Sequence, residues 1–241
     1  MVPLKDYNPI KTTPYVTYGL IALNLLIFAY ELTLQQGGLA QFFEQWAVVP
    51  SELTQSFQTG FHAPAWSEWD TLITAQFLHA GFLHVAGNML YLWIFGNNLE
   101  DELGHVKFLF FYVVCGVLAT LSQWWVDPIS AIPSLGASGA IAGVMGAYIF
   151  KFPRVRILTL IPLGFFFPTF RIPAVLFLGF WFVEQALYGF MSLEAQANVG
   201  MQGGIAYWAH AGGFLFGAIL GWMLGLFSQP DLDSESVGSQ G

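Results

Sequence analysis

The sequence predicts an all-α polytopic membrane protein, a bundle of six transmembrane helices with both termini in the cytoplasm. Three observations carry this. Of 241 residues, 56% are hydrophobic and only 9% are charged, against about 25% charged in an ordinary soluble domain. Six apolar runs approach the roughly 20 residues that a spanning helix needs. The basic residues all sort to one side of those runs.

The runs fall in order along the chain. Residues 1–13 form a short cytoplasmic N-terminus, and residues 14–227 the membrane domain. Helix 1 covers residues 14–34. It is long and lacks a small-residue cleavage pattern, so it reads as a retained helix rather than a removed signal peptide. Residues 35–71 are an external loop. Its apolar members (Phe42, Phe43, Trp46, Val48, Val49, Trp66, Trp69) suit a structured segment lying in the membrane interface. Helix 2 follows at 82–98, helix 3 at 106–126 and helix 4 at 138–150. Helix 4 is short for a span. The loop leading into it is expected to dip to membrane depth, where only protein or a water-filled cavity can cover its backbone. Helix 5 covers 170–191 and helix 6 covers 204–227. The acidic, Ser- and Gly-rich tail, 228–241, is expected to be disordered.

Charge sets the orientation. The seven basic residues are Lys5, Lys11, Lys107, Lys151, Arg154, Arg156 and Arg171. With six spans, every one falls on the side of the termini. Glu44, Glu52, Glu68, Asp70, Asp127 and Glu194 fall on the other side, which has no basic residue. The positive-inside rule then makes the termini cytoplasmic. Five or seven spans would break this sorting. A net charge of −8 excludes a basic nucleic-acid surface. Cys115 is the only cysteine; it cannot form an internal disulfide and reads as a small core residue.

The chemistry-bearing residues share one layer. Ser138 opens helix 4. His210 lies about six residues into helix 6, roughly 9 Å down at 1.5 Å per residue. Both helices run inward from the outer face, so both residues occupy the outer half of the membrane. Helix 2 also runs inward and places His79, His84 and Asn88 in that layer or at its outer edge. Gly139, Gly143 and Gly146 on helix 4, and Gly213, Gly217, Gly221 and Gly225 on helix 6, form small-residue stripes of the kind that lets helix backbones approach closely in lipid. Facing stripes would bring Ser138 to His210. A serine becomes a useful nucleophile when a base takes its proton. His84 and Asn88 share a helical face at i and i+4, and their N–H groups, with the Ser138 backbone N–H, could stabilise an oxyanion.

Blander readings exist for each residue. Ser138 suits a helix N-cap, His210 an interhelical hydrogen bond, and His79 a brace for the external loop. His62 and His105 read as loop residues. A zinc site of His79, His84 and His210 lacks the H-E-x-x-H spacing and a nearby carboxylate, so no metal or other cofactor is expected. Glu184 and Asp127 are the carboxylates nearest in depth, but nothing ties either to His210. A Ser138–His210 dyad is therefore expected rather than a triad.

Together these segments resemble the rhomboid family of intramembrane serine proteases. The matching pieces are His79, His84 and Asn88 at H-x4-H-x3-N spacing, Gly136-x-Ser138-Gly139, and Ala209-His210-x-x-Gly213-x-x-x-Gly217. The run Phe95-Gly96-Asn97-Asn98-Leu99-Glu100-Asp101 is also rhomboid-like, and the motifs extend over residues 77–221. The resemblance implies a six-helix bundle around a water-filled cavity open to the outside. Ser138 would be the nucleophile, His210 the general base, and His84 and Asn88 the oxyanion hole. Helix 5, with Phe177, Phe180, Trp181 and Phe182, would be a lateral gate. Substrates would be transmembrane proteins cut near the outer face of the bilayer. Separately, no targeting presequence or long appended domain is read in the chain, so a multi-pass protein of the bacterial inner membrane is expected. Two positions depart from the pattern. Where some members carry an aromatic under the histidine, this chain has Ala142, and its external loop has no arginine. The reading from another class is a small transporter or channel with a polar cavity. An inactive escort of membrane proteins ranks below both, because Ser138 and His210 are present.

Overall fold

The structure, a computed structural model, describes residues 1–59, 68–199 and 206–227, with backbone only at 59 and 193–199. His62, Trp66, the start of the expected helix 6 and the acidic tail lie outside the described residues. In chain order the elements are β1 (Val2–Asp6), α1 (Tyr15–Glu31), α2 (Gln36–Trp46), α3 (Pro50–Thr59) and α4 (Glu68–Thr74). A 3-10 turn (Ala75–Phe77) leads to α5 (Phe82–Tyr91), a π-helical turn (Leu92–Gly96) and α6 (Asn97–Leu103). Then come α7 (His105–Val126), α8 (Ser138–Lys151), β2 (Arg156–Leu160), β3 (Thr169–Pro173), α9 (Ala174–Val199) and α10 (Tyr207–Met223).

The fold is mostly helical and built for lipid. Leu83, Val106 and Trp125 are 86%, 83% and 80% exposed. Large apolar side chains point outward on this scale where the surroundings are themselves apolar. By length and composition, His105–Val126 and Ala174–Ser192 can cross a membrane. Glu68–Phe77 and Phe82–Leu103 pass the same test only when taken together, as a pair bent through 81°, the shape of a broken span or a re-entrant loop. The apolar α1, at 17 residues, is shorter. Helix α8 has 14 residues, and residues 139–148 are all buried. A helix sheathed by protein on every side need not match the bilayer thickness.

The glycine stripes do face each other. A β-carbon on Gly213 would strike the carbonyl of Gly139, one on Gly217 the backbone of Gly143, and one on Gly146 the backbone of Phe214. Helix α7 closes the other side, with Ala119 against Gly139 and Cys115 against Gly143. Cys115 is thus a buried core residue with a free thiol. Gly225 does not belong to the stripe. It lies beyond α10 at φ 78°, and the bonds Leu226 N–H to Gly221 O and Gly225 N–H to Trp222 O form a Schellman stop that needs this left-handed residue.

The expectation of an all-α chain is corrected by a three-stranded antiparallel sheet, β1-β2-β3. Arg156-Ile157-Leu158-Thr159-Leu160 alternates, with Ile157 and Thr159 buried, a period of two that counting apolar runs overlooks. Its partner β3 takes residues 169–173, so the helix expected from residue 170 starts at Ala174. The first N–H groups of α9, from Ala174 and Val175, donate to the carbonyls of Val155 and Pro153. On the other edge, β1 orders the N-terminus. Buried Asp6 accepts hydrogen bonds from Asn98 Nδ2 (2.8 Å) and the Tyr148 hydroxyl (2.7 Å). Burial pushes the Asp6 carboxyl above the usual carboxylate range, against the pull of those bonds.

The acidic pair after Leu99 ties the start of α1 to α6. Glu100 is fully buried and accepts from Val16 N (2.8 Å), Thr17 N (2.7 Å), Thr17 Oγ1 (2.7 Å) and His105 Nδ1 (2.6 Å). His105, expected in a loop, is therefore the first residue of α7 and a partner of Glu100. A carboxylate at a helix N-terminus meets both the orphan N–H groups and the helix dipole. Glu100→Ala strands these buried donors and is expected to cost on the order of 3 kcal/mol, measured by reversible unfolding in mixed micelles. Stability equal to wild type would contradict the capping role.

Candidate active site

Ser138 is the first residue of α8, and Ala137 makes no side-chain cap. The serine hydroxyl is instead 2.8 Å from Nε2 of His210. Both residues are half-buried. His210 is the fourth residue of α10, and the meeting follows from the close approach of α8 and α10 at Gly139 and Gly213.

The connection that delivers Ser138 is clamped by the segment between α1 and α5. Val48 and Ser134 form a two-way backbone bridge (3.1 and 2.7 Å), Ser51 N donates to Ser130 O (2.9 Å) and Gly136 N donates to Ala75 O (2.8 Å). Thr54 Oγ1 donates to Pro128 O (2.6 Å) and accepts from Trp124 Nε1 (2.9 Å). With no arginine in the loop, these backbone and hydroxyl contacts fasten α2–α4 to the α7–α8 connection.

His84 lies beside this pair. Gly136 has φ 125°, a region that L side chains rarely adopt, and a β-carbon there would sit 2.8 Å from Cε1 and Nε2 of His84. The missing side chain is what lets the imidazole approach the start of α8. Asn88, one turn along α5, makes its hydrogen bond to His79: Nδ2 donates to Nε2 at 2.9 Å. The His79 ring meets His84 edge to face, with centroids 5.0 Å apart, while its backbone N–H donates to the Glu31 carboxylate (3.2 Å). His79 thus sits in the bend before α5 and is hydrogen-bonded to Asn88. Among the described residues, no three His, Cys, Asp or Glu side chains converge on a common metal position.

Two residues of α9 hold His210. Gln185 Oε1 is 2.7 Å from Nδ1, and the Trp181 ring lies 5.8 Å from the imidazole centroid to centroid, tilted by 36°. Position 142 is an alanine, and the aromatic ring against the imidazole is that of Trp181. The residue tied to His210 is Gln185, next to the Glu184 that depth alone favours. Trp181 and Gln185 are i and i+4, an aromatic and an amide on one face of an apolar helix; that spacing was the available signal.

These observations define a helical membrane protein in which a buried central helix begins with a serine hydrogen-bonded to a histidine. A model of the Rhomboid domain matches residues 66–227, and the chain belongs to the rhomboid family. Rhomboid-like protein 11, chloroplastic, of Arabidopsis thaliana is 32% identical over 175 residues, 71% of this chain and 57% of the relative. Rhomboid protein 1, mitochondrial, of Saccharomyces cerevisiae is 32% identical over 158 residues, 64% of this chain and 41% of the relative. Rhomboid protease GluP of Bacillus subtilis is 31% identical over 151 residues, 63% of this chain and 27% of the relative. The chain thus matches from about a quarter to just over half of these relatives' length.

Proposed function

We propose that this chain is an intramembrane serine endopeptidase that cuts transmembrane proteins near the outer membrane face. The observation that carries the reading is the 2.8 Å hydrogen bond between Ser138 Oγ and His210 Nε2, within the reach a nucleophile and its base require. Ser138 Oγ attacks the scissile carbonyl carbon as its proton passes to Nε2. The resulting oxyanion takes hydrogen bonds from the His84 ring, the Ser138 backbone N–H and the second N–H of Asn88, whose first is given to His79. The C–N bond breaks as His210 protonates the leaving amine. Water then attacks the acyl-enzyme, gives its proton to His210, and the hydroxyl of Ser138 is restored. A substrate helix must unwind locally, since a helix hides its carbonyls in internal hydrogen bonds.

The topology belongs to the same proposal: six spans within 14–227, both termini cytoplasmic, and residues 35–71 external. The bacterial cell membrane is the proposed location; the relatives named above are chloroplastic, mitochondrial and bacterial proteins.

The test is cleavage of a model transmembrane substrate in proteoliposomes, with a fluorophosphonate probe for the serine. Labelling and cleavage by the wild type support the proposal. Solute flux without either would overturn it in favour of a transporter. Gly136→Ala is expected to lower cleavage by about 10²-fold, the scale of one lost oxyanion donor, because the new methyl displaces His84. A variant that folds and cleaves normally would remove His84 from the scheme.

A further inference from the structure

Resting on that reading, we infer that Gln185 is a positioning residue that fixes the tautomer of His210 and makes it a base toward Ser138. A neutral imidazole carries one N–H, and which nitrogen holds it is set by the partner of the other. Oε1 of Gln185 has lone pairs and no hydrogen, so at 2.7 Å from Nδ1 it selects the form with the proton on Nδ1. Nε2 is then the acceptor for Ser138 Oγ–H at 2.8 Å. The opposite tautomer would point an N–H at the serine and leave nothing to take its proton. When Ser138 attacks, its proton moves to Nε2, and the imidazolium keeps its Nδ1–H on the amide oxygen. No proton passes to Gln185, which orients the ring and sets its dipole against the new charge.

The surroundings commit the amide to this work. Gln185 is 8% exposed on a helix whose mean composition is apolar, where a polar group without a role is costly. Trp181, one turn earlier, covers the same imidazole. Both hands that hold His210 therefore come from α9, while the serine comes from α8. Seating of α9 and activation of Ser138 are one event, and any displacement of α9 from α10 withdraws the acceptor.

Gln185→Met and Gln185→Glu separate this from a structural role. Methionine keeps the length and volume but has no oxygen acceptor. It is expected to lower kcat for a transmembrane substrate and the rate of fluorophosphonate labelling by roughly 10- to 100-fold, with KM and thermal unfolding near wild type. Glutamate can only accept, so it is expected to restore activity. It also moves the acid limb of the pH–rate profile to higher pH, because a carboxylate stabilises the imidazolium. The inference is overturned if Gln185→Met labels and cleaves at the wild-type rate. It is equally overturned if Gln185→Glu is as impaired as Gln185→Met and keeps the wild-type pH profile. Ser138→Ala in the same assay tells the two failures apart. Cleavage surviving in that variant sinks the endopeptidase reading itself, whereas its loss beside an unimpaired Gln185→Met sinks only the positioning role.

Discussion

Ser138→Ala is expected to lower kcat/KM for a transmembrane substrate by about 10⁴-fold or more and to abolish fluorophosphonate labelling. His210→Ala should lose a similar factor, and the double variant no more than the worse single one. The non-additivity follows from the geometry. The two side chains meet at 2.8 Å and act as one unit, so either loss removes the activated nucleophile. Without the imidazole, Ser138 keeps its hydroxyl at an alcohol's ordinary acidity, where almost none is alkoxide. Without the serine, His210 has no nucleophile to deprotonate at the head of α8. The fold should be indifferent, because Ala137 rather than Ser138 is the cap position and its side chain makes no cap bond. Thermal unfolding of both single variants near wild type, with cleavage gone, is the expected pattern. Independent, multiplying losses would mean that the two residues do not form a dyad.

The neighbourhood of Ser138 and His210 is legible in the sequence because it is made by glycine. Stripes at every fourth position carry both periodicity and closeness, and Gly139, Gly143, Gly213 and Gly217 meet as that pattern implies. Gly225 misled only because the spacing continues past Met223, where the same residue type serves a helix stop. The sheet hides for a different reason. Hydropathy over long windows averages away the alternation of Arg156 to Leu160 and folds Phe170 into the helix that follows. Gln185 hides because its contact is tertiary: the i, i+4 pairing with Trp181 marks a face of α9, but nothing local says that this face meets a histidine 25 positions away. His79 likewise acts through Asn88, nine residues on, across a bend that no local pattern marks. The fastening of the α2–α3 segment to Ser134 and Ser130 runs through backbone groups, which carry no side-chain signature at all.

Gly217→Val should be the most destabilising single change in the membrane domain, by more than about 4 kcal/mol, or should prevent folding altogether. The first atom added, Cβ, already falls on the backbone of Gly143, and main chain cannot turn aside as a side chain can. Relief requires α8 and α10 to separate. That breaks the contacts at Gly146 with Phe214 and at Gly213 with Gly139 as well, since all lie along one seam. In lipid no hydrophobic gain offsets the loss, because close packing and dispersion are what hold such helices together. The same separation draws Ser138 from His210, so residual folded protein should be inactive. Gly217→Ala should show the same sign, since the collision begins at Cβ. The control is Gly179→Ala on α9, where a β-carbon meets nothing within 4 Å; it should leave stability unchanged or raise it by up to about 1 kcal/mol through helix propensity. Unfolding in mixed micelles, read beside fluorophosphonate labelling, measures both effects. A Gly217→Val protein as stable as wild type would mean that the α8–α10 seam does not carry the fold.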